Sequence, residues 1–274
     1  MIVEILNNQN NIDMLKGNDN ANSGFPVMLV LFIAIIVLMF VSISTQSKFR
    51  KINLKWAKVR NSSGKTGAQI AQELLAKNNI LNVQVILGNK EGIDHYNPKT
   101  NKITLSPSTY QSASVAAQAI AAHECGHALQ WAKQELSIRA RDTLAPAVGI
   151  VQKIGSSMMN LAFFFLFFGM IFGSKNSAFG HMQQDQQITW FGIYLYSAVS
   201  VYGAVALFQL VTLPVEFGAS RKAKVQLTEL GCIDSKNEQG TKEVLTAAAM
   251  TYVVAFLMSL TIFAFFLLKI LSRR

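Results

Sequence analysis

Charged positions are missing from four long stretches of the chain. Residues 20–47, 154–174, 186–215 and 244–268 contain no Asp, Glu, Lys or Arg. A helix needs about 20 mostly apolar residues to cross the hydrocarbon core of a bilayer. The pattern therefore predicts four transmembrane helices, at about 25–45, 154–173, 190–212 and 246–268. Four such helices buried in a soluble domain would need a core larger than 274 residues can build. The first stretch does not read as a signal peptide: a polar, weakly acidic leader precedes it and no A-x-A site follows. Residues 1–24, rich in Asn, are expected to form a loose polar leader.

Between the spans the pattern changes. "KFRKINLKWAKVR" interleaves basic residues with Phe49, Ile52, Leu54, Trp56 and Val59, as a surface helix at the headgroup level would. "NSSGKTG" reads as a turn and lacks the glycine spacing of a phosphate-binding loop. Thr66 can cap a helix whose apolar side carries Ile70, Leu74 and Leu75. "NVQVILG" and residues 102–105 read as short strands, with a turn at 97–101 before the second. Ser108 and Gln111 have capping-box spacing, and Ser112 or Ser114 starts the main helix, which runs to about Trp131. The fold class is mainly α. It is a polytopic helical membrane protein with about four spans and a small α+β region at 46–153. Residues 174–189 form a loop, and residues 213–243 a second polar segment.

Charge adds an orientation. The 25 Lys and Arg outnumber the 15 Asp and Glu, for a formal net charge of +10. Lys48, Arg50, Lys51, Lys55, Lys58 and Arg60 follow the first span, and Arg221, Lys222 and Lys224 follow the third. The leader holds only Lys16 and the loop 174–189 only Lys175. The positive-inside rule then places 46–153 and 213–243 in the cytoplasm and 174–189 outside. Lys269, Arg273 and Arg274 fall outside against the rule, but the larger count beside the first span decides. Basic residues gathered at span ends fit an anionic lipid bilayer and not nucleic acid. The expected localisation is the cell membrane, multi-pass. Cys125 and Cys232 lie in expected cytoplasmic segments, where disulfides are rare.

The candidate chemistry lies in "AAHECGHALQ", residues 121–130. His123 and His127 are i and i+4, so on a helix both imidazoles reach one ion. Glu124 sits beside that face and can act as a base without ligating the metal. Cys125 points away from the pair and reads as a packing residue. A catalytic zinc site uses three protein ligands and keeps a further position open. Gln130 and Lys133 stand where a metzincin has Gly and a third His, and no span carries an internal Asp. That leaves a distant Glu. Glu216, in "TLPVEFGASRKAKVQL", follows the third span on the same expected side, and Pro214 suits the first turn of a helix beginning there. Glu135, Asp142, Glu229 and Asp234 are the other candidates. His181 falls on the opposite side.

"DHYNP", "ITLS", "AAHECGHALQ" and "LPVEFGAS" resemble, in order and spacing, the motifs of the bacterial membrane zinc metallopeptidases of the YugP type, also called neutral zinc metallopeptidases. The resemblance runs from about residue 25 to 268 and is similar to the wider gluzincin-like group of HExxH peptidases. It implies a zincin-like catalytic region and Zn²⁺ as cofactor. It also implies His123, His127 and Glu216 as metal ligands, Glu124 as catalytic base, and peptide or membrane-protein substrates. The family has Asp where this chain has Gly218, and often where it has Asn97. Loss of a carboxylate beside a ligand His would cost ~10–100-fold in metal affinity or activity.

The expected function is that of a membrane-embedded zinc metallopeptidase. His95, Tyr96 and Arg221 are candidate oxyanion donors. The strand at 102–105, as a free edge, would pair with an extended substrate. The alternatives are a catalytically weak membrane adaptor or quality-control scaffold that keeps the metal site, and a metal transporter. The transporter would need polar residues within the spans, which offer mostly Ser, Thr, Gln and Tyr.

Overall fold

The computed structural model describes residues 2–172, 184–235 and 237–272, with side chains from residue 26 onward except 166, 168–172 and 184–188. Helix α1 spans Ile2–Ala57 and α2 spans Gly67–Lys77. Strands β1 (Gln84–Leu87), β2 (His95–Asn97) and β3 (Lys102–Leu105) follow. Then come α3 (Pro107–Tyr110), α4 (Val115–Ala132), α5 (Leu136–Phe172), α6 (Gln184–Glu229) and α7 (Asn237–Leu271). Four of these, α1, α5, α6 and α7, are long and apolar enough to cross a membrane.

Two expectations about helix ends are corrected. The leader's backbone is helical, and the basic segment after the first span continues α1 without forming a separate surface helix. Once a helix is nucleated, each further residue adds a hydrogen bond without a new nucleation cost. Similarly, α6 runs unbroken through Pro214, so no helix begins there and Glu216 sits in a helix interior.

The described chain divides into two compact units. One comprises residues 1–40, 147–206 and 257–274. Its exposed side chains include Val30, Phe40, Ile154 and Phe163, the surface expected against lipid. Inside, Ala162, Leu195, Ala198 and Val201 are buried, and Tyr202 stacks on Phe266 with ring centroids 6.0 Å apart. Small residues and ring stacking carry such packing because lipid gives helices no hydrophobic reason to associate.

The other unit, residues 41–146 and 207–256, contains the sheet. Thr66 and Gln69 close a capping box that starts α2, and Ile70 and Leu74 from its apolar side are fully buried. They join Ile103 and Leu105 of β3, Val115 of α4, Leu227 of α6 and Val244 of α7 in one core. The strand order is β1-β3-β2, with β1 parallel and β2 antiparallel to β3. Thus β3, expected as a free edge, is the central strand, and the edges are β1 and β2. Strand β2 went unread because three residues are too few to show alternation. The capping box at Ser108 is also absent: its hydroxyl donates to Glu91 at 2.6 Å. Ser114 is the residue that caps α4, accepting from the Ala117 N–H at 3.2 Å.

Helix α4 meets α6 backbone to backbone. A Cβ at Gly126 would lie 2.5 Å from the Ala219 carbonyl oxygen, so only glycine permits this approach. Forcing extra volume into a packed contact typically costs about 1–3 kcal/mol. Gly126→Ala is therefore expected to lower stability by about that amount. Gly149→Ala, on α5 with nothing within 4 Å of the new methyl group, should be neutral or slightly stabilising. Thermal unfolding of the two variants in detergent checks the contrast.

Candidate metal centre

One turn of α4 presents His123 and His127 side by side, with ring centroids 4.7 Å apart and planes at 86°. The close α4–α6 approach brings Glu216 onto them. Its Oε2 lies 3.3 Å from His123 Nε2 and 3.6 Å from His127 Nε2. Ligand atoms of the three residues all fall within 4.8 Å of one another. His127 and Glu216 are buried, and Glu216 Oε2 has no hydrogen-bond partner. Neutral imidazole nitrogens and a carboxylate oxygen all direct lone pairs at one point. Only a proton or a cation there relieves their repulsion. Two nitrogens and one oxygen, with a cavity alongside, fit the three-ligand, open-position geometry of a catalytic zinc site.

The outer hydrogen bonds set the chemistry of the inner atoms. Gln130 Nε2 donates to the Val215 carbonyl at 2.8 Å, which can only accept, so the orientation of the amide is determined. Its Oε1 therefore faces His127 Nδ1, 3.1 Å away. That nitrogen must carry the hydrogen, which leaves the Nε2 lone pair of the neutral ring directed at Glu216. Ser220 Oγ stands 3.2 Å from His123 Nδ1 and holds the other ring. Arg141 Nη1 lies 3.5 Å from Glu216 Oε1, which keeps Oε2 toward the imidazoles. A Cβ at Gly218 would come within 2.6 Å of Gln130 Nε2. Glycine thus leaves room for the Gln130 amide, and both histidines keep polar partners without a carboxylate at 218.

Burial disfavours the charged form of His127, but the Glu216 carboxylate, 3.6 Å away, and the Glu124 charge together outweigh it and raise the ring's pKa above its ordinary value. In the metal-free fold this pairing stabilises at pH below the unfolded histidine pKa and is lost as pH rises through the raised value. The same proton must leave when a metal binds. Burial also raises the Asp94 carboxyl, although the Ser106 N–H and hydroxyl donate to it at 2.7 and 3.0 Å.

Glu124 is buried and lines a cavity of about 270 Å³ with His123, Asp94 and Tyr252. Among the described residues it makes no hydrogen bond or ion pair, so its carboxylate is uncommitted. The other ligand candidates are engaged elsewhere. Glu135 pairs with Lys222 at 2.8 Å, Glu229 with Lys77 at 3.1 Å and Asp142 with Arg141 at 3.1 Å. Asp234 accepts the Asn237 N–H at 2.8 Å at the start of α7. His181 lies outside the described residues. None of the oxyanion candidates lines this cavity: His95 and Tyr96 sit on β2, and Arg221 lines a separate cavity with Phe217 and Lys242. The sequence reading missed Gln130, Ser220, Arg141 and Tyr252. Helical spacing from His127 and Glu216 offered a signal for the first two. Nothing in the sequence offered one for Arg141 or Tyr252.

Comparison with known proteins gives this cluster a family. The family described as "Putative neutral zinc metallopeptidase" matches residues 28–271. The chain belongs to the neutral zinc metallopeptidase family. It is 35% identical over 233 residues to the protein named "Putative membrane protease YugP" of Bacillus subtilis (strain 168), covering 85% of this chain and 92% of that one. No solved structure matches. For a neutral zinc metallopeptidase the hydrogen bonds behind the histidines are as testable as the histidines themselves. Gln130→Ala is expected to weaken zinc binding by ~10–100-fold. Zinc affinity should fall as pH drops from about 7.5 to about 6, with proton release seen by calorimetry in buffers of different ionisation enthalpy.

Proposed function

We propose that this chain is a membrane-embedded, gluzincin-like metallopeptidase that hydrolyses peptide bonds at the cytoplasmic face of the cell membrane. One observation carries the reading: His123, His127 and Glu216 converge while the uncommitted Glu124 carboxylate opens onto the cavity beside them. His123, His127 and Glu216 would hold the metal. Zinc, when bound, supplies a Lewis acid and lowers the pKa of water toward neutrality.

The rest of the mechanism belongs to the protein's own residues. Glu124 takes the proton of the attacking water and passes it to the leaving amine. Its position in an HExxH sequence, one residue from His123, would set it beside a bound ion without joining the ligand set. Tyr252 lines the same cavity, and in this reading its hydroxyl donates to the oxyanion. Gln130 and Ser220 hold the imidazoles, and Arg141 holds Glu216. The edge strand β2 follows directly on Asp94 of the cavity wall, and in this reading an extended peptide pairs along its outer side. Substrates are then flexible peptide or membrane-protein segments. The alternative of a catalytically weak adaptor rests on the absence of a carboxylate at 218; Gln130, 3.1 Å from His127 Nδ1, is a different polar partner for that ring and supports the enzyme reading.

Glu124→Gln should keep its zinc and lose at least ~10²–10⁴-fold in hydrolysis. Glu216→Ala should lose the metal. Zinc content of detergent-purified protein, together with cleavage of a quenched fluorescent peptide, distinguishes the two; undiminished cleavage by Glu124→Gln removes the enzyme reading. The orientation has its own check. A cysteine replacing Lys90, with Cys125 and Cys232 changed to Ala, should react with an impermeant thiol reagent only after the membrane is opened.

A further inference from the structure

The cavity beside His123 has a lining that the chemistry of hydrolysis does not require. Between residues 115 and 130 of α4 only Ile120 and His123 escape burial, and both face this cavity. Ile120 lies one turn before Glu124. Leu245 and Ala248 of α7 and Phe49 of α1 make most of the remaining wall apolar, with Asn53 and Thr251 as its uncharged polar members. At about 270 Å³ the space falls just below the roughly 300–1,000 Å³ of pockets that enclose whole small ligands. It suits one side chain.

We infer that this cavity is a specificity pocket that selects an uncharged apolar side chain, of about Leu, Met or Phe size, on a residue flanking the cleaved bond. The inference rests on the peptidase reading. An extended peptide advances about 3.3–3.4 Å per residue, so a bond placed at His123 and Glu124 brings a neighbouring side chain to the Ile120 wall. Apolar walls favour an apolar guest. The cavity also holds two carboxylates, Glu124 and Asp94. They repel an acidic side chain. Neither is free for a basic one: Asp94 already accepts hydrogen bonds from Ser106, and in the peptidase reading Glu124 is engaged with the attacking water. Phe49 lies just past the expected first span, and Ala248 lies within the expected fourth. The pocket therefore sits where a substrate leaving the bilayer first presents apolar residues to the enzyme.

The test uses the full-length, zinc-loaded protein in detergent and peptides that differ at one position, carrying Leu, Met, Phe, Ala, Asp or Lys. Cleavage efficiency is expected to be about 10–200-fold higher for Leu, Met and Phe than for Ala, with Asp and Lys lowest. Ala248→Phe, which fills the pocket, should shift the preference to Ala while zinc stays bound. A second measurement does not depend on turnover. In the Glu124→Gln protein, a peptide with a photoreactive apolar residue at that position should cross-link near Ile120 and Ala248. Cleavage without a side-chain preference, a preference for Asp or Lys, an unchanged preference in Ala248→Phe, or cross-links elsewhere overturns the pocket and leaves the peptidase standing. Zinc-loaded wild-type protein that cleaves none of the peptides fails the peptidase reading, and the pocket with it.

Discussion

The contact between Gly126 of α4 and Ala219 of α6 is the constraint on which the metal centre depends. Backbones this close leave no room for a side chain, and they bring residues one turn away on each helix into direct reach. His123 and His127 flank the contact on α4, and Glu216 and Ser220 flank it on α6. A wider crossing would leave Glu216 pointing at the imidazoles across a gap that its short side chain could not close. Close-packed interiors do not deform continuously, so the contact acts as a fixed spacer.

Around that spacer, polar groups are arranged so that the inner atoms have little choice. The Val215 carbonyl orients the Gln130 amide, the amide sets the tautomer of His127, and Ser220 and Arg141 hold His123 and Glu216. Each of these bonds is buried or partly buried, where an unpaired polar group is costly. The orphaned Glu216 Oε2 stands out against this background. Facing two imidazole nitrogens, it completes a donor set suited to a cation. Gly218 belongs to the same arrangement, since a side chain there would collide with Gln130.

The small sheet and the helices of the same unit serve the centre in different ways. The sheet buries Ile103 and Leu105 under α2 and α4 and leaves β2 as an edge. Residues of α1 and α7, the helices that carry the first and last apolar stretches, form the cavity wall opposite α4. Glu243 of α7 ties the two together, taking the Trp56 indole N–H at 2.8 Å and the Lys55 ammonium at 3.1 Å.

Much of this was legible in the chain itself. Long uncharged stretches marked the four apolar helices, because a bilayer-spanning helix must avoid charge along about 20 residues. The i, i+4 spacing of His123 and His127 marked a metal pair, because helical geometry alone puts them on one face. A downstream carboxylate could be named only as a candidate, since which Glu arrives depends on how α6 crosses α4. That crossing, the central place of β3, the unbroken path of α6 through Pro214, and the approach of Arg141 and Tyr252 come from packing between segments far apart in sequence. Local spacing dictates what one helix can present. Only the tertiary structure decides what meets it, because close packing selects the partner by shape and leaves no periodic trace along the chain.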